Sequence, residues 1–328
     1  MDNETKNAEW NSNDIDGNAI VDIGRKHGLG KYVSEVSIPG KYWRGAFNSI
    51  PFISNRHMEI LVRKPIPKGQ MAIGNSFAIV LNDDGYLTFL GKNNNFKQFS
   101  TSERIVKVAA TSHGYMGLTD GGRIVVGTLE CEFEPVVSRW SGVKDIVGCE
   151  DHVLAINSYG NVLCIDGPGD WTFRPLHENV VRNWVGIKQV AAGFANVMGL
   201  TRDGKILYHS EDKRIDEHFY DSYSDIVQVD CYSHFYGMDS AMALHSNGKV
   251  SSDTFDGVDK WRNIVQISVG DEIAIGLKCD GTIEMAIQRS NLENLYEAKN
   301  WKDLVSVECK FWGIVGITKS GQILSLFR

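Results

Sequence analysis

His177 and Glu178 open the stretch HENVV, and a histidine followed by glutamate is how a zinc-protease helix begins. The metal needs a second histidine four residues on, and that position is Val181, so the pair is incomplete. The acidic run EWNSNDIDGNAIVDIG, residues 9–24, loosely resembles a calcium loop. Its ligand spacing fails, because Ser12 would be the first ligand and Ile23 stands where the closing glutamate belongs. GRKHGLG, residues 24–30, is rich in glycine but lacks the spacing of a phosphate-binding loop. There is no G-x-S-x-G nucleophile elbow. The six cysteines, at 131, 149, 164, 231, 279 and 309, form no C-x-x-C pair. They read as small apolar core residues of a chain in a reducing compartment. The expectation is therefore no catalytic constellation, no metal and no cofactor.

What remains are polar groups in short stretches between apolar ones: His113, His152 and His234, and the carboxylates Glu150, Asp151, Asp271 and Glu272. Whether they meet depends on the elements that carry them. Those elements repeat. Leu or Ile, three residues, Gly, one residue, then Leu, Ile or Val recurs seven times, with the glycines at 85, 122, 160, 204, 248, 281 and 321. They stand 33 to 44 residues apart, about 39 on average. Asp, Asn, Ser, Tyr or Gly precedes each glycine, and apolar β-forming runs flank it. Such dipeptides mark hairpin turns that need positive φ, so the repeated Asp reads as turn chemistry and not as a metal ligand.

Upstream of each hairpin lies another strand: IVKVAA from 105, VKDIVG from 143, IKQVAA from 187, IVQVDC from 226, IVQISV from 264 and LVSVEC from 304. Three residues before most of them stands an aromatic (Trp140, Trp184, Tyr223, Trp261 and Trp301, with Ser102 the exception), placed for packing between units. A small residue precedes the Leu or Ile of each second strand from the second unit on, at Gly117, Ala155, Gly199, Ala243, Gly276 and Gly316. Strands crowding toward an axis would demand this. One unit of this size cannot bury its own apolar face, whereas seven around an axis can. The fold expected is all-β, a seven-bladed β-propeller of roughly 39-residue repeats, whose blades usually have four strands.

The stretches WRNIVQISVGDEIAIGLKCDGTI (Trp261–Ile283) and WVGIKQVAAGFANVMGLTRDGKI (Trp184–Ile206) resemble the repeats of the regulator-of-chromosome-condensation family, in wording close to its bacterial members. The resemblance covers residues 58–328 and implies the same seven-bladed propeller. It implies a rigid binding platform, since family members include a nucleotide exchange factor, a plant light sensor and a secreted β-lactamase inhibitor. Three departures matter. Histidine in the first inter-strand loop appears only at His113, His152 and His234, the wedge of the exchange factor has no counterpart, and the tryptophans do not cluster as in the light sensor.

The segment QILSLF after Gly321 is long enough for a third strand but not a fourth. An unpaired edge is costly, so HMEILVRK is expected to close the ring, with Met58–Arg63 pairing as the outer strand of the last blade. The division expected is an N-terminal extension over 1–56, partly disordered or packed on the propeller, and the propeller over 57–328.

The chain has 328 residues, is 42% hydrophobic and carries a net charge of −7. No Lys/Arg-rich run stands out, so nucleic acid is not an expected partner. MDNETKNAEW lacks the basic and apolar regions of a secretory signal, and no run approaches 18 apolar residues. A cytoplasmic location and no membrane span are expected.

A propeller places all first-to-second-strand loops on one face and all glycine hairpins on the other. The hairpin face is made of short polar turns. The loop face is the candidate for contact with another protein or a surface ligand. Its residues are Phe77, His113, Tyr115, Asp151, His152, Phe194, Asn196, Asp271, Glu272, Phe311 and Trp312. The fifth unit carries a five-residue insertion within YSHFYGMDSA, adding His234, Phe235, Tyr236, Met238 and Asp239. Turn chemistry does not call for aromatics there, and interface centres are enriched in them. Phe77, Phe194 and Phe311 have another reading, as plugs of the central channel or caps of the core. The function expected is a non-catalytic platform. The alternatives are an enzyme with a polar site at the axis or, by family analogy, an exchange-type regulator.

Overall fold

Each repeat becomes one three-stranded antiparallel sheet, and there are seven of them in the computed structural model. The structure describes residues 70–75, 77–82, 85–91, 96–112, 114–127, 134–150, 152–166, 177–212, 216–233, 239–288, 290–311 and 313–327. Blade 1 holds β1 (Met71–Ile73), β2 (Phe77–Leu81) and β3 (Leu87–Gly91). Blade 2 holds β4 (Ile105–Ala110), β5 (Tyr115–Thr119) and β6 (Ile124–Val126), and blade 3 holds β7 (Val143–Cys149), β8 (His152–Asn157) and β9 (Val162–Asp166). Blade 4 comprises β10 (Ile187–Ala192), β11 (Asn196–Thr201) and β12 (Ile206–Ser210). Blade 5 comprises β13 (Ile226–Tyr232), β14 (Ser240–His245) and β15 (Val250–Ser251). Blade 6 has β16 (Ile264–Gly270), β17 (Ile273–Lys278) and β18 (Ile283–Ile287), and blade 7 has β19 (Leu304–Lys310), β20 (Gly313–Thr318) and β21 (Ile323–Phe327). The first strand of every blade packs on the first strands of its two neighbours, and β1 packs on β19. The ring is closed, so the fold is a seven-bladed propeller. The strand expected at Met58–Arg63 and the boundary between 56 and 57 lie outside the described residues.

All seven turn glycines are left-handed, with φ between 77° and 85°. Gly204 shows why no other residue serves. It has φ +85°, and a Cβ there would stand 2.6 Å from the Ser224 carbonyl oxygen of the next blade. Its own carbonyl accepts from Ile226 N, the first residue of that blade, at 3.2 Å. The turn thus also links blades, and the same bond recurs from Val143, Ile187, Ile264 and Leu304 to the glycine before each.

Two expectations about packing change. The small residues in the second strands are not set by crowding at the axis. They seat the aromatic that precedes the first strand: a Cβ at Gly199 would lie 2.7 Å from the Trp184 ring, and Gly276 and Gly316 sit likewise under Trp261 and Trp301. In blade 2 the ring comes from Phe99, over Gly117, so Ser102 is no gap in the pattern. The aromatics also close the seams. Trp140 packs on a cluster spanning blades 2 and 3, Trp184 on one spanning 3 and 4, and Tyr223 on one spanning 4 and 5.

The second change concerns strand number. Among the described residues, short helices stand where a fourth strand would: α1 (Glu134–Val137), α2 (His177–Val181) and 3-10 segments at Val258–Lys260 and Ser290–Asn300. The segment SNLENLYEAKN contains no β-branched residue, which disfavours a strand. Each helix instead buries one or two apolar side chains. Val137 and Val181 join the seam clusters, and Leu295 and Ala298, three residues apart, are buried from the 3-10 segment.

A polar seam runs inside the apolar one. Six of the seven first strands carry a bulge at their second residue, which turns the third toward the next blade. Gln189 Nε2 donates to Val229 O at 3.0 Å, and Val229 N donates back to Gln189 Oε1 at 3.1 Å. Gln228 makes the same pair of bonds with Ile267, both 2.9 Å. Gln266 Oε1 accepts from Val307 N at 3.0 Å, and Lys107 pairs with Asp145 between blades 2 and 3.

Candidate binding face

The loops between first and second strands are short, and their backbones are tied edge to edge. Ser112 N donates to Glu150 O (2.9 Å), Phe194 N to Ser233 O (3.0 Å) and Asp271 N to Phe311 O (3.3 Å). Blades 3, 6 and 7 turn in only two residues, between the pairs Cys149↔His152, Gly270↔Ile273 and Lys310↔Gly313. Such turns need positive φ, yet Glu150, Glu272 and Phe311 supply it at 33°, 57° and 48°. Strain of this kind costs about 1–3 kcal/mol per residue and tends to collect where side-chain placement matters.

Two of those side chains, Glu150 and Phe311, meet on Tyr232 of blade 5. Glu150 Oε2 accepts from Ser112 Oγ at 2.6 Å and Oε1 from the Tyr232 hydroxyl at 2.8 Å. The Phe311 ring meets the Tyr232 ring edge-on at 5.5 Å. Lys310 Nζ donates to Cys231 O at 3.1 Å, lies 3.7 Å from Asp230 Oδ1 and sits 5.3 Å from the Tyr232 ring centre. Asp230 Oδ2 accepts from Val269 N at 2.8 Å. Blade 5 is thus bonded across the ring to blades 3 and 7 as well as to its neighbours. Burial pushes the Lys310 ammonium down, but the Asp230 carboxylate together with Cys231, Glu308 and Cys149 outweighs it and holds the pKa above its ordinary value. Burial, reinforced by the Glu150 carboxylate, keeps the Tyr232 phenol neutral.

The structure places the expected contact residues at three depths. Phe77 and Tyr115 are core: their rings pack with Phe96 in the cluster between blades 1 and 2, and Tyr115 bonds to the Lys97 carbonyl. Asn196, His152, Asp239, Asp271, Glu272 and Phe311 are buried in the layer beneath the loop tips. Asn196 Nδ2 donates to Ser240 O at 3.2 Å and spans blades 4 and 5, and His152 Nδ1 lies 3.0 Å from Asp166. Asp239 accepts from Ser210 Oγ across the same seam. Burial lifts its pKa to about 6, with the Ser210 bond opposing and the Asp212 and Asp253 carboxylates adding. Phe194 is half-buried beside His152, at 6.1 Å between rings. His113, Asp151, His234, Phe235, Tyr236, Met238 and Trp312 lie outside the described residues.

Lys310, Tyr232, Asp230 and the three glutamines were not among the expected contact residues. A signal existed for some of them. Lys310 and Asp230 place charge on first strands that are otherwise apolar at their ends, and Gln recurs at one register position in three successive units. Among the described residues no group of three His, Cys, Asp or Glu could hold a metal ion. Cys149, Cys231 and Cys309 are buried and form no disulfide.

No family model matches the chain, and no curated protein sequence does. Solved structures do. The CRINKLY WD40 ectodomain of the Arabidopsis thaliana receptor kinase ACR4 is similar over 79% of this chain and 95% of its own, at 12% identity and a TM-score of 0.59. The ectodomain of the Physcomitrella patens receptor kinase CR4 matches 79% of this chain and 72% of its own, at 13% identity and 0.56. Yeast RCC1 (Prp20), solved with Kap60, matches 78% and 69% at 15% identity and a TM-score of 0.43. At these identities the first two likenesses speak to architecture alone, and on that they agree with the closed ring: this chain is a β-propeller with seven blades.

Proposed function

We propose that the chain is a non-catalytic platform that holds a protein partner, or an exposed ligand on one, against its first-loop face. One observation carries this reading: the axis on that face is filled by Glu150, Tyr232, Lys310 and Phe311, so loops of blades 2, 3, 5 and 7 form one braced layer. A layer fixed in advance lowers the ordering cost of binding. It also fits the strain accepted at Glu150, Glu272 and Phe311. The polar groups there are engaged with one another, which favours a scaffold over an active site. The contacts themselves are assigned to Phe235, Tyr236, Trp312 and Phe194. Alanine at Phe235, Tyr236 and Trp312 together is expected to abolish capture of a partner from the native source, while Lys249→Ala on the opposite face leaves it intact. Unchanged capture by the triple variant would sink the assignment.

A further inference from the structure

The opposite face has a built-in control. At the five junctions from blade 2 to blade 7, where the turn glycine accepts from the first residue of the next blade, the residue before the glycine and the residue two before that strand form a comparable pair. These pairs are polar or small at Gly121 with Ser141, Asp203 with Ser224, Asn247 with Arg262 and Asp280 with Lys302. Between blades 3 and 4 they are Tyr159 and Val185, 80% and 69% exposed. The two backbones touch: Ile187 N donates to Gly160 O at 2.9 Å, and a Cβ on Gly160 would meet Gly186 Cα at 3.1 Å.

The turn itself does not ask for tyrosine. In blades 5 and 6 the residue at this position caps its own turn, Asn247 Oδ1 accepting from Lys249 N and Asp280 Oδ1 from Thr282 N, both at 2.9 Å. In blade 3 Asn157 takes over that work, its Oδ1 accepting from Tyr159 N at 3.0 Å and Asn161 N at 3.1 Å. Position 159 is released from turn chemistry and carries a large ring into water. Single exposed apolar residues are ordinary, but two carried on backbones that touch at one junction of a repeated ring are not explained by the fold.

The surroundings indicate what covers it. Arg202 N donates to Gly186 O at 3.0 Å, so the Arg202 side chain starts beside Val185. Lys188 and Lys205 are exposed on the same blade end, with Asp203 3.7 Å from Lys205. This rim is cationic on a chain of net charge −7. We infer that the junction of blades 3 and 4 on the hairpin face is a second docking site, for a protein segment presenting an apolar side chain flanked by carboxylates. Tyr159 and Val185 take the apolar group, and Lys188, Arg202 and Lys205 take the acids. Charge complementarity of this kind weakens with salt.

The test is a display library of random 12-residue peptides selected on the full chain, with counter-selection on Tyr159→Ser/Val185→Ser. Discriminating peptides should be net negative around an aromatic or aliphatic residue. Their affinity should fall at least ten-fold on the double variant and on Arg202→Glu, and should weaken between 50 and 500 mM salt. All these positions are exposed, so melting temperatures should match the parent's. Finding no discriminating peptide, or only basic ones, overturns the inference. So does sedimentation velocity showing self-association that the double variant loses, since the occupant would then be a second copy. The Phe235, Tyr236 and Trp312 variant serves as the control: peptide binding that survives in it separates this site from the loop face.

Discussion

Asp239 shows how much one buried carboxylate can contribute to a pH profile. Its pKa stands at about 6 against an ordinary value of 3.8. Between those values the folded chain holds a proton that the unfolded chain has released, so stability falls as pH rises through the window. Above pH 6 the loss is complete and constant, at most about 3 kcal/mol for a shift of this size. Burial also raises Asp253, which acts in the same direction. Asp239→Asn keeps an acceptor for Ser210 and removes the charge. It is expected to gain roughly 1–3 kcal/mol at pH 7 and to flatten the pH dependence between 4 and 6. Urea unfolding at pH 4.5, 5.5 and 7 reads this directly, and equal slopes for variant and parent would refute it.

At the scale of elements, the first strands are held by two layers, an apolar seam and a polar one. The glutamine seam satisfies backbone groups of the next blade that water cannot reach. Gln228→Ala would leave Ile267 N–H and C=O buried without their partner. Each orphaned group costs about 1–3 kcal/mol, so a loss of roughly 2–4 kcal/mol is expected. Gln98 serves as the comparison, since it makes the same pair of bonds to Leu87 from an exposed position. A denaturation midpoint for Gln228→Ala equal to that of Gln98→Ala would show that the seam contributes nothing. The short helices teach a related lesson: burying one side chain such as Val137, Val181 or Leu295 suffices to close the outside of a seam without a fourth strand.

At the scale of the whole molecule, a ring differs from an open stack because every blade has two neighbours. The axial groups go further by joining blades that are not neighbours. Removing Lys310 strands the Asp230 carboxylate in a site 3.7 Å from where the ammonium stood. Breaking one side of a buried pair costs about 3–5 kcal/mol, while replacing both sides is often neutral. Lys310→Met should therefore be strongly destabilising, and Lys310→Met with Asp230→Asn should recover most of the loss. Additive effects in the double variant would mean the two groups are not coupled.

Much of the architecture was written in local patterns. Seven glycines needing positive φ, each between β-forming runs, specify seven hairpins whatever surrounds them, because turn geometry is a property of a few adjacent residues. The aromatic before most first strands was legible for the same reason, although its seat on Gly199, Gly276 or Gly316, and Phe99 in the place of Ser102, were not. Asn196, His152 and Asp271 read as loop residues in the chain and are buried in the structure, since depth depends on how neighbouring loops overlap. The contact of Lys310 with Asp230 joins residues 80 positions apart, and Tyr232 reaches Glu150 across 82. No spacing rule reports such pairs. Only closing the ring brings blades 3, 5 and 7 together, and that closure decided which polar groups became bracing and which stayed exposed.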